Sequence, residues 1–282
     1  NNNKNKTIGV DISTYLHRYY ATQGTYLKGL IYQIAKFKRL NITPIYVFDT
    51  GYSEMKQQTL DKRKERIKKE EEKEGVDEFE KKKKTFRIKK EDVDFLRKLF
   101  DLMNIDYIYP DNEEADIILA QLSNNNLVDG VLSEDADMLI MGVKKLFRNF
   151  KSNVVEIVDR EQLMSDLSLT NEQIKYLAIL SGCDYLPKIK GVGMNTAFKL
   201  VKEYSMEEIV KKYEKKITGD YDWKRAYSIF QKSEDKLEYT CKDKKFEYNY
   251  DEISKLLLEN EVDDDKVISE IKNLVGVEEC LF

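Results

Sequence analysis

"VLSEDADMLI", residues 131–140, sets three acids, Glu134, Asp135 and Asp137, inside an otherwise apolar run. Val131 and Leu132 lead in, and Met138, Leu139 and Ile140 lead out. Runs of this kind are usually buried, and carboxylates are rarely buried without a partner. The stretch reads as a strand that delivers two aspartates, Asp135 and Asp137, to a loop at a sheet edge. Glu134 lies between the strand and the pair and is not assigned to their chemistry.

The same pattern recurs outward from this point. "TIGVD" (7–11) reads as a short buried strand ending in Asp11, and "TPIYVFD" (43–49) as a second ending in Asp49. "DYIYP" (106–110) is a further short strand, and "KKLFRNF" with "VVEIVD" suggests a hairpin or two edge strands. Helical spacing of apolar residues marks 26–40, 91–105 and 113–125, and helix signals dominate from 161 onward. Strands alternating with helices predict an α/β fold with a mainly parallel central sheet flanked by helices. Ligands bind such sheets beyond the carboxyl ends of the strands, where these acids sit. Two domains are expected: residues 1–160, carrying the sheet and a charged stretch at about 54–90, and a helical region, 161–282.

Composition narrows the chemistry. The 282 residues are 41% hydrophobic and 35% charged, as in a globular protein. No apolar run reaches the roughly 18 residues of a membrane span. The polar "NNNKNKT" start shows no signal-peptide pattern, and the opening on Asn1 suggests trimming. Three scattered cysteines, Cys183, Cys241 and Cys280, argue against a disulfide framework or zinc site and for a reducing, intracellular setting. A single histidine, His17, nearly excludes chemistry built on several imidazoles. Catalysis then falls to carboxylates, lysines or a metal held by oxygen.

Helix starts and loops add Glu114 and Asp116 from "PDNEEAD" and Asp184 from "LSGCDYL" to the strand-end acids. If all seven converge, they raise one another's pKa unless cations neutralise them. Two hard divalent ions are the natural solution, one activating water and the other stabilising a leaving oxygen. Each acid also has an ordinary local reading. Asp11 and Asp49 suit helix caps or turns, Asp111 and Glu114 a capping box, Asp135 and Asp137 an Asx-turn, and Asp184 a turn cap.

Two elements suit phosphate. In "LPKIKGVGMNTAFKLVKEY" (186–204), Gly191 and Gly193 open a helix, and exposed backbone N–H groups there can hold a phosphate. Lys188, Lys190 and Lys199 add positive charge; an ordinary helix–turn–helix corner is the alternative. Residues 56–90 hold 15 Lys/Arg against 9 Asp/Glu. Lys56, Arg63 and Arg66 fall near one helical face, though a charge run is also how a solvated helix looks. With a net charge of −4, nucleic-acid binding has to come from such local patches.

The ordered set "VFDTG", "EEADIILA", "VLSEDADML" and "LSGCDYLPKIKGVG" resembles the flap endonuclease superfamily of structure-specific 5′ nucleases. That superfamily includes the exonuclease 1 and XPG branches, and "LSGCDYL" is most similar to the exonuclease 1 branch. The resemblance spans roughly residues 8–275. It implies a PIN-like nuclease core, a helical arch at about 54–90 and a helix–hairpin–helix element at about 176–204 that grips duplex DNA. It further implies a metal set of Asp11, Asp49, Glu114, Asp116, Asp135, Asp137 and Asp184. Lys56 and Arg63 match the family's catalytic arch cations, and Gly191 and Gly193 its hairpin glycines. His17 stands where the family stacks a tyrosine on a base, with Tyr15, Tyr19 and Tyr20 nearby. The cofactors implied are two Mg²⁺ ions, with Mn²⁺ able to substitute, and K⁺ at the hairpin.

The expected reaction is hydrolysis of DNA near single-strand/double-strand junctions, endonucleolytic or 5′-3′ exonucleolytic, leaving a 5′-phosphate. Two alternatives stay open: a non-catalytic junction-binding protein, and an RNA-directed nuclease of the same fold. Expected partners are branched, flapped or nicked DNA, with no membrane and a monomeric chain. "EECLF" lacks the family's clamp motif, so sliding-clamp binding is not expected. The large insertion of the XPG branch is absent, and the N-terminus departs from the family's Met-Gly-Ile. The setting would be the nucleus in a eukaryote, and otherwise the cytoplasm or a viral replication site.

Overall fold

The structure, a computed structural model, describes residues 5–51, 54–72, 77–150, 154–217, 219, 221–239 and 250–276; side chains at 55, 57, 58, 62, 63, 66, 70, 71 and 78–80 lie outside that set. The described chain runs β1 (Lys6–Asp11), α1 (Ile12–Gln23), α2 (Leu27–Arg39) and β2 (Ile42–Val47). A 3₁₀ turn at Glu54–Lys56 leads into α3 (Gln57–Glu71), then α4 (Glu78–Thr85), α5 (Lys90–Leu102) and β3 (Asp106–Ile108). Next come α6 (Ala115–Asn124), β4 (Gly130–Leu132), α7 (Asp137–Ile140), β5 (Lys145–Arg148) and β6 (Glu156–Asp159). The described helices that follow are α8 (Arg160–Leu167), α9 (Asn171–Ser181), α10 (Met194–Glu203), α11 (Met206–Lys212), α12 (Trp223–Lys232), α13 (Tyr250–Glu259) and α14 (Asp265–Val275).

The elements form two compact units that interleave along the chain. The first takes residues 1–48, 66–109 and 238–282, and the second 49–65 and 110–237. Residue 160 therefore lies inside the second unit, which carries the last strands together with α8 to α12.

In the first unit, β1, β2 and β3 pair in parallel with β2 in the middle. Gly9 lies opposite Ile45, and Asp11 opposite Val47. Val10, Ile45, Tyr46 and Val47 are buried, as continuous apolar runs in parallel strands require. α1 had no clear signal in the sequence. Only Ile12, Tyr15 and Leu16 of its 12 residues are buried, so its apolar stripe is thin. What starts it is Asp11, whose carboxylate accepts from the Thr14 backbone N–H at 3.1 Å.

In the second unit, β4 and β5 are parallel, and of the hairpin or two edge strands suggested by "KKLFRNF" and "VVEIVD", β5 and β6 form an antiparallel pair. α6 is buried on almost every side, and its polar residues are satisfied accordingly. Gln121 donates to the Lys232 carbonyl at 2.8 Å, and the Ser123 hydroxyl accepts from Lys144 N–H at 3.0 Å. Leu119, Leu122, Val131, Leu146, Ile179 and Phe230 belong to this core. Each such side chain stabilises by about 1.5–3 kcal/mol. The strand expected to lead into a loop carrying Asp135 and Asp137 ends at Leu132, and Met138 and Leu139 return to the core on the short α7. No helix among the described residues is long and apolar enough to cross a membrane.

Candidate metal centre

The buried α6 fixes the acids at its start. Glu114 occupies the N-cap position but makes no capping bond with its side chain. The capping-box reading of Asp111 and Glu114 is thus not what the chain adopts. The Glu114 carboxylate, 3% exposed, instead accepts from Lys56 Nζ at 2.6 Å and from the Tyr185 hydroxyl at 3.0 Å. Asp116, in the first turn of α6, has an oxygen 3.7 Å from the same ammonium. Asp184, in the loop after α9, has another at 3.7 Å. Three acids from two distant segments therefore surround one cation. Burial alone would push the Lys56 ammonium down, but Asp116, Glu114 and Asp184 outweigh it and hold the group above the ordinary lysine value. Burial raises the Tyr185 hydroxyl, and Glu114 and Asp116 raise it further.

Asp49 reaches the start of the same helix, accepting from the Ala115 N–H at 3.4 Å. The segment after it is tied down. Thr50 Oγ1 donates to the Pro110 carbonyl at 2.7 Å, and Thr50 N–H donates to the Glu113 carbonyl at 3.4 Å. Gly51 passes so close that an added Cβ would lie 2.4 Å from the Asn112 carbonyl carbon. Only glycine fits there without the backbone giving way. A further tie joins α3 to the Asp184 loop, since Thr59 Oγ1 donates to the Asp184 carbonyl at 3.0 Å.

Asp135 and Asp137 do adopt the Asx-turn. Asp135 Oδ1 accepts from the Asp137 N–H at 2.8 Å, and the Asp135 N–H donates to Ser133 Oγ at 3.1 Å. The turn nonetheless leaves a strained charge. Burial, then Asp135 and Asp184, push the Asp137 carboxyl up to about 6, with Lys56 opposing. Glu134 turns elsewhere and accepts from the Asn149 N–H at 3.1 and 3.3 Å. Asp11 belongs to the first unit, where it caps α1.

The donors at hand are carboxylate oxygens, which suit a hard divalent ion rather than a soft one. Among the described residues, no three or more of His, Cys, Asp and Glu are spaced to grip one metal ion directly. The acids are arranged about the wider ammonium instead.

The glycine element forms a loop between α9 and α10. Gly191 has φ +81°, and Val192 and Ile189 beside it are buried. Gly193 is the N-cap of α10, with open space beside it. Lys188, Lys190 and Lys199 are exposed. Lys216, which sequence reasoning missed, brings Nζ to 3.7 Å from where a Gly191 Cβ would be. In the first unit, exposed His17 meets the Phe86 ring edge-on at 5.3 Å, and Tyr20 stacks on Phe86 at 3.8 Å. The side chains of Arg63 and Arg66, on α3, lie outside the described residues. Tyr185 and Thr50 were also missed, although each adjoins a motif acid. A buried tyrosine hydroxyl needs a partner, and that was the usable signal for Tyr185.

Comparison with known proteins gives the family. The family model described as the XPG N-terminal domain matches residues 1–70, and that described as the XPG I-region matches 104–184. Flap endonuclease 1 of Theileria annulata is 36% identical over 242 residues, covering 79% of this chain and 46% of that protein. Flap endonuclease 1 of Saccharomyces cerevisiae is 33% identical over 258 residues, covering 79% of this chain and 67% of that protein. The chain spans about half the length of several curated relatives it matches, 46–48%. Among solved structures, the catalytic core of Rad2 in complex with DNA substrate superposes with a TM-score of 0.69 at 20% identity, covering 96% of this chain and 92% of that one. The two matched regions contain Asp49, Lys56, Glu114, Asp116, Asp135, Asp137 and Asp184, so the chain that gathers its acids on Lys56 belongs to the XPG and flap endonuclease 1 family.

Proposed function

We propose that this chain is a metal-dependent, structure-specific 5′ nuclease that hydrolyses DNA phosphodiester bonds near single-strand/double-strand junctions. The observation that carries the reading is the convergence of Glu114, Asp116 and Asp184 on one cation position, 2.6, 3.7 and 3.7 Å from Lys56 Nζ. Family membership supports the reaction class. The Rad2 core's complex with a DNA substrate supports DNA as the partner.

Glu114, Asp116, Asp135, Asp137 and Asp184 would hold two Mg²⁺ ions with Asp49, and the resemblance adds Asp11. When bound, such ions polarise a phosphoryl oxygen and lower the pKa of a coordinated water. The chain's own residues do the rest. Tyr185 and the Thr50 tie keep the acids of α6 in place. Lys56 and Arg63 orient the scissile phosphate and offset its developing charge. The α10 N-terminus at Gly193, with Gly191, Lys188, Lys190 and Lys199, holds the duplex backbone without reading its sequence. Arg66 and His17 contact the strand further along. Mn²⁺ substitutes for Mg²⁺, K⁺ binds at the hairpin, and the chain acts as a monomer.

A labelled DNA with a 5′ flap, incubated with and without Mg²⁺, tests the reading. The chain cuts near the junction only with Mg²⁺. Asp184→Asn lowers the rate at least ~100-fold, the upper range for residues that merely support a metal ligand, while junction binding stays within a few-fold. Binding without cutting at any metal concentration would make it a junction-binding protein instead. Preference for an RNA flap in a parallel reaction would reassign the substrate.

A further inference from the structure

We infer that Lys56 is a resident counter-ion of the carboxylate cluster, and that its ammonium and a divalent cation occupy the cluster by turns. This rests on the reading that the cluster binds such a cation, and it adds how the site changes when it does. Glu114 is almost fully buried, and its oxygen is bonded by Lys56 Nζ at 2.6 Å. A buried carboxylate needs a compensating charge, so the folded chain keeps one cation or another beside it. The same ammonium lies 3.7 Å from oxygens of both Asp116 and Asp184. These are the distances of an ammonium, not of a metal, which needs roughly 2.0–2.6 Å from oxygen. The described residues accordingly hold no ready-made metal-gripping set. For the oxygens to close on a metal ion, the ammonium has to leave, since the two like charges would otherwise share one shell.

Lys56 is placed to do so. It ends the 3₁₀ turn before α3 and carries a flexible four-carbon stem. Once displaced, its charge becomes available to a phosphate oxygen. The cation that orients the phosphate would thus be released by the ion that activates the site, and the lysine would weaken apparent metal affinity until then.

The test uses the wild-type chain and two variants. Reductive methylation of lysines, read by mass spectrometry with and without saturating Mn²⁺, reports whether the Lys56 amine is held. Calorimetry gives Mn²⁺ affinity for wild type, Lys56→Met and, as a charge control, Lys232→Met, whose amine pairs with Glu113 at 3.4 Å. Lys56 labelling should rise several-fold with Mn²⁺. Lys56→Met should bind Mn²⁺ about tenfold tighter, the effect of ~1.4 kcal/mol in coupling, and melt lower without metal, while Lys232→Met stays within twofold of wild type. If Lys56→Met fails to fold, wild-type labelling decides. If Mn²⁺ binds the wild type and Lys56 labelling does not change, the inference is overturned and the nuclease reading survives. Failure of Mn²⁺ to bind at all overturns both.

Discussion

Glu114 concentrates the site's energetics in one side chain. It is buried and charged, and it accepts from donors far along the chain, Lys56 at 58 residues' separation and Tyr185 at 71. Both contribute, since a carboxylate removed from water is costly unless its lone pairs are met. Tyr185→Phe keeps the packed ring and removes only the hydroxyl donor. A hydrogen bond to a charged group contributes about 1.5–3 kcal/mol, so the variant is expected to lose ~2 kcal/mol of stability. Differential denaturation of the two proteins measures this. Cleavage should fall about tenfold with KM unmoved, because the hydroxyl supports an acid rather than touching substrate. Equal stability and equal rates would mean that Glu114 does not depend on the Tyr185 hydroxyl.

Between elements, the second unit relies on an ion pair of another kind. Lys175 on α9 has a side chain only 2% exposed and pairs with Glu234, which follows α12 and is 49% exposed. Asn171 also donates to Glu234, at 3.3 Å. The Lys175 hydrogen bond, outweighing burial, holds the Glu234 carboxyl below the usual value, with Asn171 and Arg160 helping. A carboxylate with a depressed folded pKa stabilises at pH above the ordinary value near 4.5 and loses that contribution as pH falls through the folded value. Glu234→Gln should therefore cost about 1–2 kcal/mol at pH 7, less than a fully buried pair because Glu234 is half exposed. Urea melts at descending pH should show the gap to wild type closing below about pH 4.5. A gap independent of pH would assign the loss to packing. At this scale the sequence was legible where burial writes a long pattern. β1 and β2 show as continuous apolar runs because parallel strands are covered on both faces. α1 was not legible, since three buried residues make too faint a stripe. Glu114, Asp116 and Asp184, which the structure brings about Lys56, were singled out by where acids fall at helix starts and in loops. Their pairings were not, because no local pattern foretells that Lys56 and Tyr185 meet Glu114, 58 and 71 positions away.

Across the whole molecule, charge sets the terms of binding. A chain with net charge −4 repels DNA at long range, so the proposed DNA binding has to come from local contacts. Salt acts on the two effects unequally. Beyond about 8–10 Å the repulsion is already screened at physiological ionic strength, whereas direct phosphate contacts keep releasing counterions as salt falls. Each phosphate neutralised adds about −0.9 to the slope of log affinity against log salt. On the proposed reading, the exposed lysines around the hairpin, Lys188, Lys190, Lys199 and Lys216, supply such contacts in the second unit. Anisotropy titrations of a DNA junction across a range of salt should give a steeply negative slope. Lys190→Gln and Lys216→Gln should each make it shallower by about one and weaken all sequences alike. Asp184→Asn should leave the slope as it is, because the proposed function places that residue with the metal ligands and not with the duplex grip. A slope untouched by both lysine substitutions would move the duplex off the hairpin and onto the charged helices of residues 54–90.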